Sequence, residues 1–285
     1  MTFDPSQAAP SSPTGHRRRT IAFTSGKGGV GKSNLVLNTG LLLARQGRRV
    51  ALLDGDLGLA NLTVLMGQAP KYDLRDVIAG DKRIRDIVME GPNGLLVIPA
   101  GSGVAELASL SEADRSGLFE QLRDIEEAVD FLLIDTGAGI SDTVLSLILA
   151  SDESVVVTQP EPTALADAYA LMKVVIQQFP AYPFHVLINM VRDGRQARQV
   201  QRSLAEILTR FLGYTPGDAG FVVMDSWVAQ AVVQQVPFTV LAPRAPASRC
   251  IEDLVGRLLG PGGTAGTAPA KTFWERVSEG PWRLT

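Results

Sequence analysis

Residues Gly26 to Ser33 read G-K-G-G-V-G-K-S. The spacing satisfies G-x-x-x-x-G-K-[ST], the pattern of a phosphate-binding loop. It stands where such a loop must stand, after the apolar run "TIAFTS" and before a helical pattern. Gly28, Gly29 and Gly31 let successive backbone N–H groups turn toward a phosphate, and the helix that follows adds the positive end of its dipole. Lys32 is expected to reach the β- and γ-phosphates of ATP, and the Ser33 hydroxyl to ligate Mg²⁺. The expected nucleotide contacts are Gly26, Lys27, Gly28, Gly29, Val30, Gly31, Lys32, Ser33 and Asn34.

Three carboxylates belong to the same chemistry. Asp135 closes the run "FLLIDT", the place of a Walker B aspartate that holds the metal through water. Asp54 and Asp56, in "LLDGDLGLAN", end another apolar run. One is expected to orient the attacking water, the other to sense metal and γ-phosphate. Ser33, Asp56 and Asp135 form the expected metal set.

A second lysine, Lys27, follows the first glycine of the loop. A loop wrapped around phosphates points it away from Lys32 and out of the pocket mouth, within reach of another subunit. A cation supplied in trans stabilises charge where the transition state develops it.

These residues need a scaffold that brings several strand ends together. From Thr20 onward, short unalternated runs rich in Val, Ile and Leu ("TIAFTS", "RVALLD", "GLLVIPA", "FLLIDT", "SVVVTQ", "FHVLINM", "GFVVM") read as strands buried on both faces. Between them lie helical patterns such as "KSNLVLNTGLLLARQG", "SEADRSGLFEQLRDIEEA", "PTALADAYALMKVVIQQF" and "GRQARQVQRSLAEILTRFL". The alternation predicts an α/β fold of the P-loop NTPase kind, a mostly parallel twisted sheet with helices on both faces. Ligands then sit at the carboxyl ends of the strands.

Around this region, 19–260, the composition changes. Residues 1–18 are rich in Pro, Ser and Ala without apolar period, so burial cannot offset the entropy of ordering them. Residues 261–270, "PGGTAGTAPA", read as a linker, and residues 271–285 as a short tail. A formal net charge of -3 provides no global field toward nucleic acid or acidic lipid. The single cysteine, Cys250, excludes an intrachain disulfide, and His16 and His185 stand far apart. No run reaches the ~20 apolar residues of a membrane span, and the N-terminus lacks a signal-peptide core, so a cytoplasmic protein is expected.

The segment "KGGVGKS" resembles the deviant Walker A motif of the MinD/ParA ATPases, and the likeness runs from Thr20 to Gly260. It implies an ATP-bound homodimer in which Lys27 crosses to the partner's phosphates. "DGDLGLANLTVLMG" resembles switch I of the MinD branch, with Asp54, Asp56 and Asn61 on its motif positions. "LIDTGAGISD" resembles switch II, with Gly137 where MinD typically has Pro. Within "INMVRD", the resemblance implies Asn189 as the adenine-reading amide and Arg192 as a further nucleotide contact. "VMDSWVAQAVVQQVPF" resembles the segment that closes over the base.

"DTGAGIS" together with "QPEPTALADAYALMKVV" is most similar to the FlhG/FleN branch, which controls the number and placement of flagella. That resemblance implies an FlhF-like GTPase, a flagellar transcription activator or a flagellar C-ring protein as partners. The branch often carries D-Q-A-x-x-L-R near its start, where this chain has only "SQAAPSS". Division-site selection, plasmid-type partition and ATP-gated antagonism of a flagellar transcription activator are the alternatives, because they use the same nucleotide site.

In a helical "TFWERV", Phe273, Trp274 and Val277 share a side facing away from Glu275, Arg276 and Glu279. By resemblance this tail attaches the protein reversibly to the inner face of the cell membrane; the alternative is a tail docked on the protein's own surface. Arg195, Arg198 and Arg202 share a helix face, but such a stripe is more often solvated or protein-docking, and DNA binding is not expected.

Overall fold

In the computed structural model, residues 18–56, 61–100, 112–260 and 271–279 are described. They form eight strands and twelve α-helices. In chain order these are β1 (Arg19–Ser25), α1 (Lys32–Arg45), β2 (Val50–Gly55), α2 (Asn61–Leu65), α3 (Leu74–Ile78), α4 (Ile84–Ile87), β3 (Met89–Glu90) and β4 (Leu96–Pro99). The next are α5 (Glu112–Ala128), β5 (Phe131–Ala138), α6 (Asp142–Ala150), β6 (Glu153–Thr158), α7 (Pro162–Gln178), β7 (Phe184–Val191) and α8 (Gly194–Leu212). Last come β8 (Gly217–Val223), α9 (Ser226–Gln234), α10 (Phe238–Leu241), α11 (Pro246–Leu259) and α12 (Phe273–Glu279).

One sheet of order β3-β4-β2-β5-β1-β6-β7-β8 holds every strand. All neighbours are parallel except the short edge pair β3 and β4. The α/β fold with a mostly parallel sheet, read from the sequence, is the fold observed. The antiparallel edge strand Met89–Glu90 was not read, because two residues carry no periodicity.

Alternation along β1 explains the two-faced burial. Ile21 and Phe23 join α1 and α11 in one core, while Ala22 joins α5 and α6 in the opposite core. A third core packs α7 and α8 against β6 and β7. Helix ends are fixed locally: Asp193 accepts the Gln196 N–H at 2.8 Å to cap α8, which ends at Gly213 with φ 62°.

The C-terminal helix takes the docked arrangement and not the membrane-facing one. Its apolar side does not face outward: Phe273 is 0%, Trp274 1% and Val277 8% exposed, packed against α5 and α6. The Phe273 N–H donates to Glu126 at 2.9 Å, and Arg276 pairs with Asp152 at 3.0 Å. The amphipathic pattern was right, but its apolar side covers the chain's own core. Arg195, Arg198 and Arg202 lie exposed along α8.

Candidate functional site

At the carboxyl ends of the strands lies a crevice of about 770 Å³. The loop between β1 and α1 forms its floor, with Gly28 to Leu35 on the lining. Gly29 and Gly31 have φ of 78° and 88°, a left-handed geometry that costs glycine nothing. Gly26 serves a different purpose from phosphate approach. A Cβ there would lie 2.2 Å from the Asp167 carbonyl oxygen, so this glycine lets the loop pass tightly over α7.

Beneath the floor, Lys32 Nζ pairs with Asp135 Oδ1 at 2.5 Å, with the two side chains 7% and 0% exposed. The Ser33 hydroxyl stands near enough to the same carboxylate to lower its pKa. Burial pushes the Asp135 carboxyl above the ordinary range, although Lys32 pulls against it. The expected phosphate lysine, metal hydroxyl and Walker B aspartate are therefore brought together.

Asp54 stands beside Asp135 in the β2–β5 register and is 1% exposed. Its Oδ2 accepts the Leu62 N–H at 3.2 Å, tying β2 to α2 across the switch I segment. Burial, and then the Asp135 charge, raise its pKa from 3.8 to about 7. Asp56, by contrast, lines the crevice. The two aspartates thus occupy different levels, Asp56 facing the crevice and Asp54 under it. Residues 57–60 and the Asn61 side chain lie outside the described residues.

The donor set suits a magnesium nucleotide. Asp135 Oδ2 and Asp54 Oδ1 are buried with no hydrogen-bond partner among the described residues. The loop N–H groups from Gly28 to Asn34 donate to no backbone carbonyl there. Hard oxygen donors beside Ser33 suit Mg²⁺, and turned amides suit phosphate.

Lys27 leaves the crevice, as the sequence predicted. Its Nζ lies 3.0 Å from Glu161 Oε2 and 3.5 Å from Thr163 Oγ1, at the start of α7. Asn189 is brought to the lining, where its Nδ2 donates to the Val30 carbonyl at 2.7 Å. That bond leaves its Oδ1 to accept from a base amine. Arg192 is not brought in: it is exposed, outside the lining, with its backbone N–H on Gln196.

The outer wall is apolar, made by Val222, Met224, Val228, Val232 and Phe238 with Leu65 and Met190. It suits the face of a purine, and most of it comes from the segment expected to close over the base. Sequence reasoning missed Gln159, whose Nε2 lies 3.3 Å from the Gly29 carbonyl oxygen. Its only signal was its place directly after a strand beside the loop-bearing strand.

Comparisons with known proteins agree with this geometry. An AAA domain family model matches residues 18–181. The antiactivator FleN of Pseudomonas aeruginosa is 41% identical over 82% of this chain and 83% of its own. The flagellum site-determining protein YlxH of Helicobacter pylori is 32% identical over 84% of this chain and 81% of its own. The fold matches the septum site-determining protein MinD of Pyrococcus horikoshii, solved with Mg-ADP. The TM-score is 0.68 at 24% identity, over 86% of this chain and 98% of that one. By its motif, its fold and these likenesses, the chain belongs to the MinD/ParA family of ATPases, in which it is FlhG/FleN-like.

Proposed function

We propose that the protein is a switch driven by ATP and Mg²⁺ that controls the number and placement of flagella. The observation that carries this reading is the separation of the two loop lysines. Lys32 is buried on Asp135, while Lys27 stands outside the crevice on Glu161. A cation displayed at the mouth of its own site is placed to serve a second copy's phosphates. Two copies therefore join face to face when ATP is bound, Asp56 and Lys27 act in hydrolysis, and conversion to ADP and phosphate separates them. The Mg-ADP complex of the archaeal MinD supports the choice of nucleotide and metal.

The flagellar assignment rests on the names of the two similar proteins, FleN and YlxH. Partners then include a flagellar transcription activator, an FlhF-like GTPase or a C-ring protein. No helix among the described residues is long and apolar enough to cross a membrane. Peripheral attachment at the inner membrane face through α12 would require Phe273, Trp274 and Val277 to leave the core, so the anchor is not part of this proposal.

The name of the Pseudomonas relative, an antiactivator, favours a second reading in which the ATP-bound face antagonises a transcription activator and turnover matters little. Deleting the gene in its host, with flagella and minicells counted in the same micrographs, tests the assignment. Extra or misplaced flagella with normal division support it. Minicells with normal flagellation overturn it in favour of division-site selection. An Asp56→Ala strain separates the two flagellar readings: it fails in a cycling switch and still represses in an antagonist.

A further inference from the structure

Two carboxamides hold carbonyls of the phosphate loop. Asn189, near the end of β7, donates Nδ2–H to the Val30 carbonyl at 2.7 Å. Gln159, the residue after β6, directs Nε2 to the Gly29 carbonyl at 3.3 Å and to Met190 Sδ at 3.0 Å. The two acceptors belong to consecutive peptide units. In a trans peptide the C=O and the following N–H point opposite ways. Fixing the Gly29 and Val30 carbonyls therefore fixes the direction of the N–H groups of Val30 and Gly31, both on the crevice lining.

Both amides are nearly buried, Gln159 at 9% and Asn189 at 6%. Met190, which Gln159 touches, holds a left-handed backbone at φ 57°, uncommon for a non-glycine residue. The contact ties the end of β6 to the end of β7. Asn189 in turn leaves Gly31 without room for a side chain, because a Cβ there would lie 2.5 Å from Asn189 Nδ2.

We propose that Gln159 is a positioning residue for the nucleotide phosphates, pairing with Asn189 to preset the phosphate-facing amides of the loop. It touches no reacting atom. Its effect is preorganisation: without it, the nucleotide must order the peptide between Gly29 and Val30 as it binds. The inference rests on the nucleotide reading above and adds a residue to it. It also gives Asn189 two tasks, the loop through its nitrogen and the base through its oxygen, so base and phosphate recognition share one side chain.

The test uses the full chain with Mg²⁺ and a fluorescent ATP analogue, in competition with tripolyphosphate and with adenosine. Gln159→Met keeps the length of the side chain and removes the donor. It is expected to weaken the analogue and tripolyphosphate together by roughly threefold to tenfold, the worth of one hydrogen bond. Adenosine affinity stays at the wild-type value, and the thermal midpoint falls only by what one buried hydrogen bond is worth. Gln159→Glu sets a carboxylate against the carbonyl and the phosphates and weakens both further. Unchanged tripolyphosphate affinity, or a loss shared equally by adenosine, overturns the proposal. If Gln159→Met does not fold, Gln159→Asn, one methylene short of Gly29, carries the same expectation. A wild-type chain that binds no ATP analogue sinks the nucleotide reading itself, a result distinct from failure of the tether.

Discussion

Lys27 Nζ lies 3.0 Å from Glu161 Oε2 of the same chain, with the two side chains 41% and 55% exposed. An ion pair in that much water is worth ~0–1 kcal/mol. It parks the lysine without holding it, so a competing set of phosphates from a second copy can take it. Lys27→Ala is therefore expected to bind ATP normally and to lose the turnover that depends on self-association. Wild-type turnover in that variant would defeat the proposed dimer mechanism.

Glu161→Gln releases the same lysine without removing it. Because each pair is worth at most ~1 kcal/mol and a symmetric dimer breaks two of them, ATP-dependent self-association should appear at a concentration up to about thirtyfold lower, with an unchanged thermal midpoint. Analytical ultracentrifugation with a non-hydrolysable ATP analogue reads the shift. No shift, or one to higher concentration, would mean that Glu161 does not compete for Lys27.

Lys32 is the opposite case, since its ammonium and the Asp135 carboxylate are both buried. Removing one partner of such a pair costs about 3–5 kcal/mol, because the other charge stays buried alone. Lys32→Ala should thus lose nucleotide affinity and folding stability together. Lys32 is what draws the Asp135 carboxyl down, so its loss moves that group further up. The stability penalty should then be smaller at the more acidic of two pH values, where more of Asp135 is protonated and needs no partner. Urea melts at the two pH values check the difference.

Asp54 makes the chain's stability depend on pH. Burial and the neighbouring Asp135 raise its pKa from 3.8 to about 7, against the bonds from Leu62 and Asp56 and with the Asp56 charge adding to the rise. A carboxyl that is more basic folded than unfolded stabilises the fold when protonated. That contribution is fully present below pH 3.8 and is lost as pH rises through about 7, a change of ~4 kcal/mol between the limits. Nucleotide-free protein should be more stable near pH 5 than near pH 8. Asp54→Asn, neutral and of the same shape, should flatten this dependence and gain stability at pH 8. An identical pH profile in the variant would refute the assignment.

The sequence made the loop, the parallel sheet and the meeting of Lys32, Ser33 and Asp135 legible, because each rests on spacing or on unalternated apolar runs. It could not separate Asp54 from Asp56, which differ by one level of burial beside β5 and not by type. Arg192 shows the same limit: three residues beyond Asn189 in sequence, it stands in solvent, outside the crevice lining. Gln159 was illegible as a site residue because its acceptor lies 130 positions away, at Gly29. The terminal helix shows how periodicity fails most plainly. An apolar stripe states that something must cover it, and only the tertiary structure states what.

That stripe leads to the last prediction. Trp274 is 1% exposed, with its ring 6.4 Å from Phe119 and 4.8 Å from Phe273, centroid to centroid. The helix is also pinned by charge: Glu126 accepts from Phe273 and pairs with Arg18 at 3.1 Å, and Arg276 pairs with Asp152. Truncating a buried Trp costs about 3–5 kcal/mol, whereas truncating one held free for a membrane costs almost nothing in solution. Trp274→Ala should therefore lower the urea midpoint substantially in the nucleotide-free chain, and wild-type protein should not sediment with anionic vesicles under those conditions. Native-like stability in Trp274→Ala combined with vesicle binding by the wild type would return the helix to the membrane. Because α6 starts immediately after switch II and carries this helix on its flank, loss of Trp274 should also loosen α6. Hydrogen exchange across Asp142–Ala150 would register that loosening, while the far edge at β8 keeps its protection.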